Sequence, residues 1–200
     1  LNNLPDWFND PAVRQPQELH MANFNGNGKL SVKIKVKETP CNLKIRPANL
    51  KIKPVIKGKQ IYFTWDGPGQ LIVEMDGMPP LFLFANPEEK AMPSVGDSRI
   101  KYFGPGIHRS GYIDIKDNET VYIAAGAVVY GGIRAKEASN IRVMGRGILD
   151  GNYEYEQMVK IEDSHNILFE GITVRNSKSW TNTLINCRDV KYNFVKVLGF

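Results

Sequence analysis

Acidic side chains cluster in the last third of the sequence, where a suitable pair could catalyse cleavage of a glycosidic bond. That reaction needs one carboxyl group as general acid and another as base or nucleophile. Asp150, however, ends a predicted strand at a glycine bend, and neither Glu154 nor Glu156 has a charged sequence neighbour that would tune it for proton transfer. We therefore assign no catalytic residue among the acids of this cluster: Asp150, Glu154, Glu156, Glu162, Asp163 and Glu170.

Aromatic residues on predicted turns of the same region could stack on the face of a sugar ring. For Trp180, stacking on a ligand and packing inside the protein are both open interpretations, whereas packing is favoured for Tyr153 and Tyr155. A groove face would begin at the turns around Asn152 and Trp180. The sequence therefore predicts a substrate-binding surface that contains Trp180, Asn182 and Asn152.

Metal and redox chemistry have no support in the sequence. The two cysteines, Cys41 and Cys187, lie far apart without CxxC spacing, and we expect two unpaired, buried thiols. The histidines are scattered in the same way: His20, His108 and His165. No metal site is predicted.

Nucleotide-cofactor and triad chemistry are also not predicted. Residues 145–151 (GRGILDG) begin like a dinucleotide-binding fingerprint, but the third glycine falls one residue late and a strand is expected to follow instead of a helix. Ser179 and Thr181 have no histidine-backed arrangement that would make either a nucleophile. We expect no cofactor.

The first half of the chain predicts a β-sandwich, because apolar and polar residues alternate with period two between turn sequences. Alternation occurs at residues 30–36, Leu43/Ile45, Leu50/Ile52, 61–65 and 71–75. Turns are predicted at residues 27–28, 57–58, 66–69 and 76–77. Residues 86–97 resemble a linker, so we assign residues 1–100 to a sandwich domain with its linker and 101–200 to a second domain.

The second half contains a sequence repeat of about 25 residues, which is typical of a solenoid because one coil cannot bury its own apolar face. The matching positions are Ile141, Ile167 and Val190. We predict the first coils of a right-handed parallel β-helix, with these three side chains stacked in one interior column. Residues that tolerate left-handed backbone geometry mark the tight bends: Asn140, Asn166, Asn176 and Asp189.

Basic residues concentrate in one segment of the first half, residues 29–60, which holds ten of them against the single acid Glu38. Lys33, Lys35 and Lys37 alternate with apolar neighbours, which favours the solvated face of a sheet. The surface could also attract an acidic polymer, either a polysaccharide or a nucleic acid. A nucleic-acid partner is not predicted, because the interleaved exposed aromatic residues of such surfaces are missing.

Four segments in order resemble glycoside hydrolases of the polygalacturonase type, the pectin-degrading family 28, with the related dextranases a close second. The segments are residues 102–108 (YFGPGIH), 120–132 (TVYIAAGAVVYGG), 145–151 (GRGILDG) and 177–181 (SKSWT). Residues 61–87 also resemble the N-terminal β-sandwich that some bacterial members carry. The resemblance implies an inverting hydrolase of pectin-type or related plant or microbial polysaccharide, without a cofactor.

The resemblance also implies where the catalytic groups lie. Family members carry their aspartates in an Asn-x-Asp motif and an Asp-Asp pair, followed by Gly-His-Gly, and none of these three strings occurs in this sequence. The expected aspartates would lie on coils beyond Phe200. We therefore expect the N-terminal part of a glycoside hydrolase that is inactive by itself.

Three further expectations concern alternatives and partners. A non-catalytic carbohydrate-binding β-helix is the main rival, because the family's aspartates are missing. We expect a secreted or periplasmic protein whose partner is a polysaccharide. No membrane partner is expected, since no apolar run is long enough to span a bilayer. The open end of the β-helix, with Val195, Val197 and Phe200, is expected to support end-to-end association.

Overall fold

The computed structural model describes residues 19–89, 93 and 96–199, and the chain divides into two compact units between Glu88 and Glu89. Among the described residues, helical structure is confined to one 3-10 turn at Ala48–Leu50. The predicted fold class, an all-β chain with a sandwich followed by parallel β-helix coils, is confirmed. The predicted domain boundary at residue 100 lies on the far side of the linker from this division and stays a prediction.

The first unit contains two sheets in its described residues. Their strands are β1 (His20–Asn25), β2 (Gly28–Lys35), β3 (Lys44–Arg46), β4 (Val55–Lys57), β5 (Gln60–Gly67), β6 (Gly69–Met75) and β7 (Met78–Asn86). One sheet has the order β1-β7-β6-β3 and the other β2-β5-β4. Neighbouring strands are antiparallel except for β1 and β7, which are parallel.

The two sheets of the first unit pack face to face, because alternate residues of each strand point inward. Ile61 and Val73 are fully buried in the shared core, and Trp65 is buried in the same cluster. On β2 the inward residues are partly buried and the intervening lysines are exposed, so the alternation predicted for this strand is confirmed.

Three local details differ from the sequence prediction. Leu50 and Ile52 are not in a strand, because the chain makes a 3-10 turn there that ends in the left-handed residue Lys51. Asn86 belongs to β7 and not to a linker, and its buried amide donates to the Asn23 side chain at 2.6 Å. Cys41 and Cys187 are unpaired as expected, but Cys41 is exposed and Cys187 is only partly buried.

The second unit consists of about four turns of parallel coils. Its strands are β8 (Ile100–Phe103), β9 (Gly106–Asp114), β10 (Thr120–Ile123), β11 (Ala127–Lys136), β12 (Ser139–Gly145), β13 (Ile148–Asp150), β14 (Gln157–Glu162), β15 (His165–Glu170), β16 (Thr173–Arg175), β17 (Trp180–Ile185), β18 (Arg188–Asn193) and β19 (Lys196–Leu198). One sheet has the order β8-β10-β12-β15-β18. The first halves of β9 and β11 pair with β13, β16 and β19 on a second side.

The second halves of β9 and β11 form the third side with β14 and β17, which we call the groove sheet. A register shift between Tyr130 and Gly131 separates the two halves of β11. Here the chain approaches the previous coil closely, since a Cβ atom on Gly131 would lie 2.2 Å from the carbonyl oxygen of Gly111. One strand can therefore serve two sides of the coil.

The predicted interior column is confirmed. Ile141 pairs with Ile167, and Ile167 pairs with Val190. Ile141 and Ile167 are buried, and Val190 packs partly buried against the same core. Each coil therefore covers the apolar side chains of its neighbour, which no single coil could do alone.

The predicted bend residues adopt left-handed backbone geometry, with φ of 55° at Asn140, 52° at Asn166, 57° at Asn176 and 54° at Asp189. The amide of Asn140 donates to the Asn118 side chain at 3.0 Å, and the amide of Asn166 donates to the Asn140 side chain at 2.6 Å. These side chains form a ladder along the stack. Their structural role is therefore confirmed.

Candidate functional site

The groove sheet presents a polar outer face on an apolar interior. Ile133, Val159 and Ile161 are fully buried on the inner side. The alternate residues Arg134 and Lys160 are paired with each other and point outward. Asp114 extends this outer row on β9, and Thr183 extends it on β17. The stacking of coils thus brings residues from four strands into one row.

Tyr112 lies across the floor of this face. A Cβ atom on Gly132 would come within 2.7 Å of the Tyr112 ring, so the glycine leaves the space that the ring occupies. The guanidinium carbon of Arg134 lies 3.2 Å from the centroid of the ring. Tyr155 meets Tyr112 edge on, with ring centroids 4.8 Å apart. The three side chains come from successive coils and form one aromatic and cationic cluster.

A groove of about 570 Å³ runs over this cluster. Its charged lining residues are Lys116, Arg134, Lys136, Lys160, Asp114, Glu156 and Glu162. Two of the acids already have cationic partners, since Glu162 forms an ion pair with Lys160 at 3.1 Å and Glu156 forms one with Lys178 at 2.6 Å.

Three cations of the groove remain without an ion-pair partner among the residues that the structure describes: Lys116, Arg134 and Lys136. Their charge is available to a ligand, and the concave face keeps them together. The groove therefore fits an extended ligand that carries carboxylates and has a flat apolar ring face.

The three predicted binding residues are not brought together. Trp180 is 66% exposed, and its backbone pairs with Gln157 of the groove lining, but Trp180 is not itself a lining residue. Asn182 pairs with Val159 and therefore lies in the inward-facing row instead of on the groove face. Asn152 is exposed on a separate turn, where its amide donates to Glu154 at 2.7 Å. A role in binding for these residues stays a prediction.

The two tyrosines predicted to pack have different environments. Tyr155 packs against the core of the coils and the Tyr112 ring, as predicted. Tyr153, by contrast, is 45% exposed and has a left-handed backbone, so packing does not describe its position.

Asp150 has the structural role expected of it. It is buried and accepts hydrogen bonds from the Arg175 guanidinium at 2.7 Å and the Asn176 amide at 3.0 Å. Its other contact is the backbone N–H of Asn152 at 2.9 Å. All of these bonds hold a bend between coils, which leaves no free carboxylate to act on a substrate.

Sequence reasoning did not identify Tyr112 and Arg134 as site residues. The repeat positions Ile141, Ile167 and Val190 all come later in the sequence, whereas β9 already belongs to the stack. The paired glycines at 131 and 132 are the signal that could have located them, because adjacent small residues in a strand indicate a close approach of another group.

A second charged cluster lies at the corner between two sides of the coil. Arg146 and Lys196 are both buried, and the Lys196 ammonium donates to the carbonyl oxygen of Gly171 at 2.6 Å. Glu89 approaches the Arg146 guanidinium at 3.9 Å. Burial, together with the charge of Arg146, lowers the pKa of Lys196 to about 8.

Residues 19–89, 93 and 96–199, which the structure describes, hold neither a metal-binding cluster nor a membrane-spanning helix. Within these ranges no three or more His, Cys, Asp or Glu side chains are arranged to hold a metal ion. The same part of the chain contains no helix with the length and apolar character needed to cross a bilayer.

The sequence matches no protein-family model, and it matches no curated protein significantly. Among solved structures, the chain is similar to a proposed glycosyl hydrolase from Parabacteroides merdae, with 20% sequence identity and a TM-score of 0.47. The match covers 49% of this chain and 59% of that chain. No conclusion about the chemistry of this chain follows from a likeness at that level.

Proposed function

We propose that this chain forms the first coils of a polysaccharide-cleaving glycoside hydrolase of the polygalacturonase type. In this proposal the groove sheet binds an acidic polysaccharide of the pectin class. The observation that carries the proposal is the groove in which Arg134 stacks on Tyr112 beside the unpaired Lys116 and Lys136. The order of the four family-like sequence segments supports the same class of enzyme.

The chemistry of the groove suits a polymer of uronic acids. Each sugar of such a polymer carries a carboxylate, and lysine and arginine bind carboxylates through charge-assisted hydrogen bonds. The Tyr112 ring in the same groove carries the Arg134 guanidinium, which holds this cation beside Lys116 and Lys136. A neutral glucan would leave Lys116, Arg134 and Lys136 without partners, which favours a pectin-type substrate over the dextran of the related enzymes.

We do not place the catalytic acids in this groove. Of the three acids that line the groove, Glu156 and Glu162 are engaged by lysines, which leaves Asp114 as a single carboxylate without an ion pair among the described residues. Asp150 lies outside the lining and holds a bend. Inverting hydrolysis needs two carboxyl groups about 6.5–9.5 Å apart, one to protonate the leaving oxygen and one to activate water. The resemblance assigns these groups to aspartates on later coils. The residues described above would then bind and orient the polymer beside them.

The first test compares the 200-residue chain with a version extended through the downstream coils. Release of reducing sugar is measured on polygalacturonan, rhamnogalacturonan and dextran. We expect no turnover by the short chain and turnover of an acidic polymer by the extended one. Turnover by the short chain that disappears in Asp150→Asn or Glu154→Gln would overturn the assignment of the acids to later coils.

The second test addresses the groove in the extended enzyme. Arg134→Ala and Lys136→Ala should each raise KM on polygalacturonan several-fold while kcat changes little, because these residues bind substrate and do not touch the reacting bond. Lys191→Ala, an exposed lysine on β18 outside the groove lining, is the matched control and should leave KM unchanged. Equal effects of all three substitutions would show that the groove is not the binding surface.

A non-catalytic carbohydrate-binding β-helix is the second candidate. It is favoured by the engagement of Glu156, Glu162 and Asp150 in ion pairs, which leaves these carboxylates without a catalytic task. The extended version separates the two candidates, since a binding module would retain polygalacturonan without cleaving it.

We also propose that the protein is secreted or periplasmic, because a polymeric pectin-type substrate is found outside the cytoplasm. Fractionation of the native host with an antibody against the chain tests this location. Recovery only in the cytoplasmic fraction would contradict it.

A further inference from the structure

The outer face of the sheet β2-β5-β4 carries an ordered group of side chains that the proposed function does not use. In the antiparallel register Lys33 stands opposite Tyr62, and Tyr62 stands opposite Val55. In the next row Lys35 stands opposite Gln60, and Gln60 stands opposite Lys57. Directly paired residues share one face of a sheet. In the middle strand, Gln60 therefore lies between Lys35 and Lys57, and Tyr62 lies between Lys33 and Val55.

The lysines of this face have no anionic partners. Lys33, Lys35 and Lys57 are exposed, and none of them forms an ion pair with any residue that the structure describes. Lys33 and Lys35 are two residues apart on one strand, so their Cα atoms are about 7 Å apart. Like charges at this separation repel one another, and a bound polyanion would remove that repulsion.

The middle strand supplies the groups that recognise a sugar. The ammonium of Lys33 lies 5.6 Å from the centroid of the Tyr62 ring, so charge and ring belong to one site. The Tyr62 hydroxyl donates to the side-chain carbonyl of Gln60, which orients the Gln60 amide group. The Gln60 amide nitrogen can donate to hydroxyl groups of a ligand. A ring, an amide and three ammonium groups thus lie on one flat surface.

We propose that this face is a second binding site for acidic polysaccharide, separate from the groove and formed by Lys33, Lys35, Lys57, Tyr62 and Gln60. The identity of the polymer rests on the proposed function. The ring of Tyr62 stacks on the apolar face of one sugar, Gln60 binds hydroxyl groups, and the lysines pair with carboxylates of neighbouring sugars. A second site on the same chain raises the local concentration of polymer at the groove.

A polysaccharide fits this face better than a nucleic acid does. Single-stranded nucleic acids are bound by several aromatic side chains on which successive bases stack. Tyr62 is the single aromatic residue among the outward-facing side chains of β2, β4 and β5. One aromatic ring among several lysines suits a polymer that carries a charge on every sugar and in which only one sugar stacks on the ring.

The test is affinity electrophoresis of the full 200-residue chain in native gels that contain polygalacturonate. The variant K33Q/K35Q/K57Q and the variant Tyr62→Ala are compared with the control K44Q/K53Q/K191Q. The control removes the same charge at three exposed lysines outside the β2-β5-β4 sheet. Dextran gels and a thymidine oligonucleotide at the same ionic strength serve as alternative ligands.

We expect the lysine variant to bind polygalacturonate about tenfold more weakly, since three exposed ion pairs together contribute roughly one such factor. Tyr62→Ala should weaken binding by a similar factor, and the control should bind like the parent chain. Unchanged retardation of the lysine variant, or equal losses in variant and control, would overturn the proposal. Equally strong retardation by the oligonucleotide with the same dependence on Lys33, Lys35 and Lys57 would assign the face to nucleic acid and overturn it as well.

These outcomes can be distinguished from failure of the proposed function. Failure of the extended chain to cleave any polymer would contradict the hydrolase proposal and leave the binding result on β2-β5-β4 intact. Loss of retardation on Arg134→Ala with none on K33Q/K35Q/K57Q would contradict the second site and leave the groove intact.

Discussion

Arg134 and Tyr112 form the closest cation–ring contact of the groove, with the guanidinium carbon 3.2 Å from the ring centroid. The two residues belong to neighbouring coils. The Tyr112 hydroxyl donates a hydrogen bond to the carbonyl oxygen of Gln157, which lies on the following coil, at 3.4 Å. The pair thus connects three coils on the face that we propose binds substrate. Its geometry depends on the absence of a side chain at Gly132.

Gly132→Ala should therefore lower the free energy of unfolding by about 1–3 kcal/mol, the usual cost of overpacking. The new Cβ would lie 2.7 Å from the Tyr112 ring and 2.8 Å from the carbonyl oxygen of Met158, and the backbone carbonyl cannot move aside. Urea denaturation measures the change. Gly104→Ala is the control, because its Cβ would meet only the Tyr102 ring at 3.5 Å. Equal unfolding curves for the two variants would contradict the close approach.

The asparagine ladder makes a second prediction. Asn140→Ala removes one donated and one accepted hydrogen bond and places alanine at φ 55°. The left-handed backbone alone costs a non-glycine residue about 1–2 kcal/mol, and each lost hydrogen bond costs about 0.5–1.5 kcal/mol. Asn140→Gly loses the same bonds but accepts the backbone conformation. Thermal unfolding should rank stability as wild type, then Gly, then Ala; an alanine variant as stable as the glycine variant would refute the backbone contribution.

The buried Lys196 predicts a pH dependence of stability. Its pKa falls from 10.5 to about 8 on folding. Between these values the unfolded chain binds more protons than the folded chain, so the free energy of unfolding should rise with pH across that window. Lys196→Met should lack this rise in urea titrations at pH 7.5 and 9.5, and an equal slope in both proteins would contradict it. Burial raises the pKa of Tyr122 and Tyr192 from 10.0 to about 12. These two residues therefore lower the free energy of unfolding with rising pH only above about pH 10.

The last described coil predicts self-association of the 200-residue chain. Val197 is 49% exposed although its partner Val174 is buried, and Tyr192 is 41% exposed on the side away from Phe169. Exposed apolar side chains of this kind favour contact with another protein surface. Light scattering should detect dimers or larger species, and Val197→Glu should reduce them. Ile107→Glu, at an exposed position outside the last coil, should not. A monomeric parent chain would contradict the prediction.

The parts of the fold that follow from periodicity could be predicted from the sequence. Period two in β2 and the recurrence of Ile141, Ile167 and Val190 reflect a physical requirement, namely that one face of a strand must be buried. The bends at Asn140 and Asn166 were predictable for a similar reason, because few residues accept left-handed geometry.

Other features depend on tertiary contacts that leave a weak local signal. The segment around Leu50 has the apolar spacing of a strand, but it forms a 3-10 turn that ends in the left-handed Lys51. The inward-facing row of Asn182 is set by its pairing with Val159, which the residue types alone do not reveal. Tyr112 acquires its place in the groove from Gly132 of the following coil. The positions of Asn182 and Tyr112 depend on how their strands pair with strands of adjacent coils, and local sequence does not determine that pairing.

The stacking of the coils has a mechanical consequence. Each of the strands β12, β15 and β18 pairs only with the strands of adjacent coils, so Ile141 has no contact in the sheet with Val190 except through Ile167. A pulling force applied at the C-terminal side would therefore be resisted by one interface at a time. The coils would peel away singly, each giving a separate extension step, and the two neighbouring coils that hold Val121 and Val143 would be among the last to unravel.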